Sequence, residues 1–266
     1  MRHIHATFLY LMTYVRIVGI FAISLLLIFL FPYLGDGPRA ILKDALNYLG
    51  FLYAILMGFL MSIAIQRRRA LDEHISQELS KIRRIYHIAL HMTKDSPKLA
   101  PWFKALTENL QAYLTLFRSV SFAFYEHGNP LFRNVTYTIY GLPSKKLKYN
   151  AELYHQLLEA SSLVTNARQY IRAIKDQYIG YFQWTVIFIV TLTFSWILAA
   201  STPNDPAARF MAVMVIFNIL LVQDLLYEYD RLNDKKLHYL ADLYAMNLSD
   251  VEPYRKIQGV ERDASR

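Results

Sequence analysis

Leu46-Asn47-Tyr48-Leu49-Gly50-Phe51-Leu52-Tyr53-Ala54-Ile55-Leu56-Met57-Gly58-Phe59-Leu60-Met61-Ser62-Ile63-Ala64-Ile65 runs without a single charged residue. Crossing a hydrocarbon layer about 30 Å thick takes about 20 apolar residues, because each helical residue advances about 1.5 Å. This stretch is therefore long enough to span a membrane. Three others resemble it: Ile17–Leu34, Ile179–Thr202 and Phe210–Tyr227. Backbone amides in lipid must be bonded within their own segment, and the 10-residue alternation of a barrel is absent, so the spans are expected to be helices. The first is uncharged only after Arg16, so residues 7–15 either lie along the interface or extend the same helix with Arg16 snorkelling. No small-x-small cleavage site follows it, and it is read as a retained span.

The spans form two close pairs joined by turn-rich connectors, Gly35-Asp36-Gly37-Pro38 and Ser201-Thr202-Pro203-Asn204-Asp205-Pro206. The expected fold is an all-α polytopic membrane protein with four transmembrane helices in two hairpins and a helical cytoplasmic stalk. Its parts are a first hairpin with an interfacial amino-terminal segment (1–65), a cytoplasmic helical region (66–178), a second hairpin (179–227), and a cytoplasmic carboxyl-terminal helix and tail (228–266). Arg67-Arg68-Arg69 follows the second span directly, and Lys235-Lys236 follows the fourth. The connectors carry few basic residues. Basic loops stay cytoplasmic, which places both termini and the central region inside and implies a bacterial inner membrane.

Composition fits this reading. The chain of 266 residues is 55% hydrophobic and 15% aromatic, with a net charge of +8. The basic excess sits beside spans, where anionic headgroups attract it, and no nucleic-acid motif accompanies it. The lipid bilayer, not nucleic acid, is the expected partner. Cysteine is absent, which removes disulfides, zinc-thiolate sites and thiol catalysis together. The tyrosines and Trp184 near a span end suit an interfacial aromatic belt.

Between the hairpins, Leu71, Ile75, Leu79, Ile82, Tyr86 and Ala89 recur at three- and four-residue steps, which predicts an amphipathic helix continuing the second span until Pro97 and Pro101 end it. A second helix is expected from Trp102 to Phe117. Residues 119–143, with Gly128-Asn129-Pro130 and Gly141-Leu142-Pro143, read mainly as loop with one short helix. A third helix is expected to start near Asn150 and to run unbroken into the third span. Leu232, Leu237, Leu240, Tyr244 and Leu248 extend a stripe beyond the fourth span. These stripes need partners, so a stalk packed on itself and on neighbouring subunits is expected.

Within the second span, Gly50, Ala54, Gly58 and Ser62 fall at four-residue intervals and make one face of small side chains, which lets another helix approach closely. The neighbouring face presents Phe51, Ile55 and Phe59. Two readings follow. The small residues pack inside one subunit, or they pack between subunits while Phe51, Ile55 and Phe59 ring a central axis as a constriction that gates by dewetting.

Ile55-Leu56-Met57-Gly58-Phe59, with Phe51 one turn earlier, resembles the pore-lining second helix of bestrophins, where bulky apolar residues form a neck and a Gly-Phe pair ends it. The order of elements over most of residues 45–250, including Gln66-Arg67-Arg68-Arg69-Ala70-Leu71, is similar to that of uncharacterised bacterial bestrophin-like membrane proteins. The resemblance implies a homo-oligomer, a pentamer around an anion-permeable pore. The tyrosine-arginine-tryptophan cluster that follows the neck in bestrophins is missing here. The acidic run that clasps calcium in animal members has no match, so calcium gating is not implied.

Polar residues in spans are costly and often functional, which singles out Asn218, Gln223, Asp224 and Glu228. Asn218 is expected to bond another helix. Asp224 and Glu228, one turn apart, are expected to pair with Arg231 or Lys235 at the headgroup boundary. Alternatively, they face a vestibule and attract cations, whereas Arg67, Arg68 and Arg69 would attract anions. His87 and His91 stand four apart on one helix face, a metal-compatible spacing, but no glutamate follows His87 and no third ligand is evident; a solvated face is expected. No phosphate loop or serine elbow is present, and Glu126-His127 alone carries little weight as an acid/base pair. An enzyme is not expected, and neither is a cofactor or metal. The leading reading is ion conduction by an oligomer, and the alternative is a non-conducting scaffold or sensor that binds a partner through its cytoplasmic helices.

Overall fold

The structure, a computed structural model, describes residues 2–31, 33, 39–119, 122–143, 151–231 and 238–251. The described residues form eight α-helices and contain no strand: α1 (Arg2–Leu30), α2 (Arg39–Asp95), α3 (Ala100–Ser119), α4 (Gly128–Tyr140), α5 (Ala151–Lys175), α6 (Tyr181–Ser201), α7 (Pro206–Asp230) and α8 (His238–Val251). Short 3-10 turns at Pro97–Leu99 and Phe122–His127 lead into α3 and α4. The chain divides into two compact units, residues 1–66 with 178–231, and residues 67–177 with 232–266.

Among the described residues of the first unit, three helices are long and apolar enough to cross a membrane: α2, α6 and α7. The apolar stretch of α1, Tyr14–Leu30, is shorter. Helices α1 and α7 run antiparallel. Near one end of α1 the Arg209 guanidinium of α7 donates to the Ile28 carbonyl at 3.0 Å, and Phe21 meets Phe217 edge to face at 5.6 Å. Ile28, Phe194, Ala199, Ala212, Val213 and Ile216 close the core at this end. A second cluster joins Tyr53, Met57, Leu60 and Ala64 of α2 to Ile187 of α6 and Leu226 of α7.

Helix α5 does not run unbroken into α6. Its last turn is closed by the Gln177 amide on the Ile174 carbonyl, and α6 opens only at Tyr181, after Gly180 in extended conformation (φ −65°, ψ 160°). A distant carboxylate takes up the backbone freed there. Asp230, buried at the end of α7, accepts from the Ile179 amide at 2.8 Å and from the Trp184 indole at 3.4 Å. It satisfies a backbone donor that a continuous helix would have spent internally.

In the second unit, the stripe Leu71, Ile75, Leu79, Ile82, Tyr86 and Ala89 is fully buried, and α2 ends at Asp95 ahead of the two prolines. Leu157, Val164, Ala167 and Ile171 of α5 are buried as well, while Leu153, Leu158 and Ile174 are half-buried against the same core. The region after Ser119 is more helical than its glycines and prolines indicate. Pro130 sits in the first turn of α4, where a missing amide costs nothing, and Phe132, Val135 and Ile139 face inward. Asn150 and the segment 232–237 lie outside the described residues, so the expected cap, Leu232 and Leu237 do too; the side chain of Leu240 is likewise not described. Helix α7 ends at Asp230, and α8 is a separate helix that buries Tyr244 and Leu248.

At the centre of this unit lies a charged group inside the apolar stripe of α2. Glu78 of α2 is wholly buried (0% exposed). It accepts from the hydroxyls of Tyr113 on α3, Tyr125 at 2.7 Å and Tyr244 on α8 at 2.9 Å, and pairs with Arg168 of α5 at 3.3 Å. Arg168 also donates to Asn129 at 2.7 Å and lies about 5 Å from the ring centres of Tyr113, Tyr125 and Phe132. Burial pushes the Glu78 carboxyl above its ordinary value, an effect that Arg168 and the tyrosine hydroxyls offset only in part. A buried charge survives when it is paired and its remaining lone pairs are filled, and this one meets both conditions.

Candidate functional site

The second span presents three faces within its unit. Tyr53, Met57, Leu60 and Ala64, spaced four, three and four, are buried against α6 and α7. Beside them, Gly50 is half-buried, and a Cβ there would sit at ordinary contact distance, 3.5 Å, from Phe194. Ala54, Gly58 and Ser62 are exposed, and nothing lies within 4 Å of where a Gly58 Cβ would stand. Phe51, Ile55 and Phe59 are 71%, 55% and 65% exposed. The face used for packing inside the chain is thus one that sequence reading did not single out. Its signal, a helical repeat of Tyr, Met, Leu and Ala, has no contrast in a helix apolar all round.

Of the arginines that follow, Arg67 and Arg68 are half-buried and Arg69 is exposed, all in the second unit. Asp224 and Glu228 lie on the turn of α7 that faces α1, and Arg16 of α1 binds them both. Its guanidinium engages the Asp224 carboxylate, donates to the Asp224 carbonyl at 3.3 Å, and pairs with Glu228 at 2.8 Å. Of the expected partners, Arg231 is replaced in this role by a residue more than two hundred positions away, and Lys235 lies outside the described residues. The Arg231 guanidinium instead stands 5.0 Å from the Tyr227 ring centre. Partial burial of the Arg16, Asp224 and Glu228 side chains makes the pairing stronger than a surface ion pair.

Removing the guanidinium takes away the group that bridges two carboxylates one turn apart. Arg16→Ala is therefore expected to destabilise the contact of α1 with α7 by about 1–3 kcal/mol, between an exposed and a fully buried pair. Thermal unfolding in detergent would register this as a lowered midpoint, with Arg16→Lys giving partial recovery.

Interhelical bonds near Asn218 within the chain are made by its neighbours. Asn218 is exposed, while the Gln223 amide donates to Thr191 of α6 and the Tyr53 hydroxyl donates to the Ile219 carbonyl at 3.3 Å. Glu126 is held by Lys175 at 3.2 Å. His87 and His91 are both exposed on α2. Among the described residues, no group of three or more His, Asp or Glu side chains is placed to hold a metal ion.

No curated protein matches the chain. Solved structures do. A bacterial bestrophin homologue from Klebsiella pneumoniae, in a point-mutant form, aligns with a TM-score of 0.69 at 13% identity, covering 89% of this chain and 98% of that one. A crystal structure described only as a membrane protein, also a point mutant, aligns with a TM-score of 0.68 at 12% identity over the same shares. At such identity the likeness shows the fold. The model of the Bestrophin-like domain matches residues 18–230, most of the chain, and the protein is therefore a membrane protein of the Bestrophin-like family.

Proposed function

We propose that this protein is an ion channel of the bestrophin type, a homo-oligomer, pentameric by family likeness, in which α2 lines the axis and Phe51, Ile55 and Phe59 form a hydrophobic neck. The observation that carries it is the uncovered stripe on α2. Large apolar side chains are usually buried or, in a membrane protein, covered by lipid or another helix. Here the stripe stands beside a face of small residues, Ala54, Gly58 and Ser62, that admits a neighbouring helix closely. Small residues between subunits and aromatic residues toward the axis account for both faces at once.

Four spans remain the reading that fits the first unit. Helix α1 has 29 residues, a length of about 43 Å at 1.5 Å per residue, more than a bilayer core requires. Its antiparallel contact with α7 supports both termini on one side, the cytoplasmic side by the positive flanks, in a bacterial inner membrane. The Arg16 pairing weakens the case for a cation-attracting vestibule at Asp224 and Glu228. Arg69, the exposed member of the arginine run, favours anions. The test is oligomeric mass in detergent together with current after reconstitution. A monomer that carries no current and retains a stoichiometric soluble partner would replace this reading with that of a scaffold.

A further inference from the structure

The surroundings of the histidine pair His87 and His91 on α2 give it a specific chemistry. The helix is unbroken through Asp95. Tyr86, Ile88, Ala89 and Met92 anchor this part of it in the core of the second unit. His87 and His91 occupy the opposite, exposed face. The Tyr86 ring stands 5.5 Å from the His87 ring in an edge contact, and among the described residues neither imidazole has a hydrogen-bond partner. Residues four apart on a helix place their Cβ atoms about 5–6 Å apart, so both rings reach one point above the surface.

We propose that His87 and His91 form a two-imidazole binding site for a divalent transition metal of the zinc class. A helix that the core holds rigid pre-organises the two nitrogen donors, so binding orders only the side chains. Neutral imidazole suits Zn2+ and Co2+, while Ca2+ takes six or more oxygen ligands and Mg2+ an oxygen octahedron, against the single carboxylate near this face. Two protein ligands leave two tetrahedral positions for water or another ligand, so the site is open. Asp95, one turn beyond His91, is exposed on the same side of the helix. Arg84 and Lys94, three residues outside the pair on either side, oppose a cation and set the affinity below that of a closed structural zinc site. The same spacing of two histidines on one helix face serves zinc in metalloproteases.

The experiment is calorimetric titration of the full-length protein in detergent with ZnCl2, wild type against His87→Gln, His91→Gln and the double variant. Both residues are exposed, so the variants keep the fold, and the remaining histidines form a background common to all four proteins. The expected result is one Zn2+ per chain lost in the double variant. Each single variant is expected to bind at least about 10-fold more weakly, since loss of even a supporting partner of a metal ligand has that effect. Equal stoichiometry in the wild type and the double variant, or no Zn2+ bound by the wild type, overturns the site. Conduction is not the readout, so the outcome is independent of the channel reading.

Discussion

Phe51→Ala combined with Phe59→Ala is expected to raise the current of reconstituted protein at least about 10-fold, equivalent to lowering the barrier by about 1.4 kcal/mol. Both rings are exposed on the same stripe of α2, so their removal takes little packing from the subunit and leaves its fold intact. In the proposed neck, what changes is the width and wettability of the passage. A constriction lined by phenylalanine repels water when narrow, and an ion can follow only where water stays. Ile55, between the two, is expected to give a smaller increase as Ile55→Ala. Planar-bilayer or vesicle-flux recordings of the wild type and the variants decide the matter. If wild type and double variant are both silent in a verified oligomer, the neck assignment fails.

The largest loss of stability is expected at Glu78→Ala. Arg168 would stay buried without its counter-charge, and the hydroxyls of Tyr113, Tyr125 and Tyr244 would lose their common acceptor. Breaking a buried pair by removing one partner costs about 3–5 kcal/mol, a large share of the stability of a typical domain. Loss of tertiary near-ultraviolet signal at temperatures where the wild type is intact would show it. Glu78→Gln keeps the shape and part of the bonding and is expected to fall between. It also isolates the titration. Because the folded carboxyl titrates above its ordinary value of 4.5, its contribution is fully present below that value and is lost as pH rises through the folded one. The stability advantage of the wild type over Glu78→Gln should therefore shrink with rising pH, and chemical denaturation at a series of pH values would measure the slope. An advantage that grows with pH would contradict the direction.

The helical character and the apolar stretches were legible because helical periodicity and uninterrupted hydrophobicity are local signals. The stripe from Leu71 to Ala89 is the clearest case, since most of the residues between its members are polar. Inside the second span that contrast disappears, and the buried face of Tyr53, Met57, Leu60 and Ala64 could not be told from its neighbours. Long-range partners were illegible for a different reason. Nothing near Asp224 names Arg16, and nothing near Gly180 announces that Asp230 will take the Ile179 amide and end a helix there. Glu78 did leave a trace: it falls three residues after Ile75 and one before Leu79, inside the buried stripe. A charge in that register signals either a misplaced helix or a paired core group.

The Glu78 cluster also constrains the order in which the chain completes itself during synthesis. Its members come from α2, α3, the turn before α4, α5 and α8, and Tyr244 emerges from the ribosome only after α6 and α7 have been made. Until then the carboxylate lacks one of its donors and Phe117 lacks the Tyr244 ring that lies 4.3 Å from it. The second unit thus stays open while the membrane-crossing helices are being inserted, with late, non-local contacts closing it. A nascent chain halted before residue 238 is accordingly expected to be more open to proteolysis than the full-length chain.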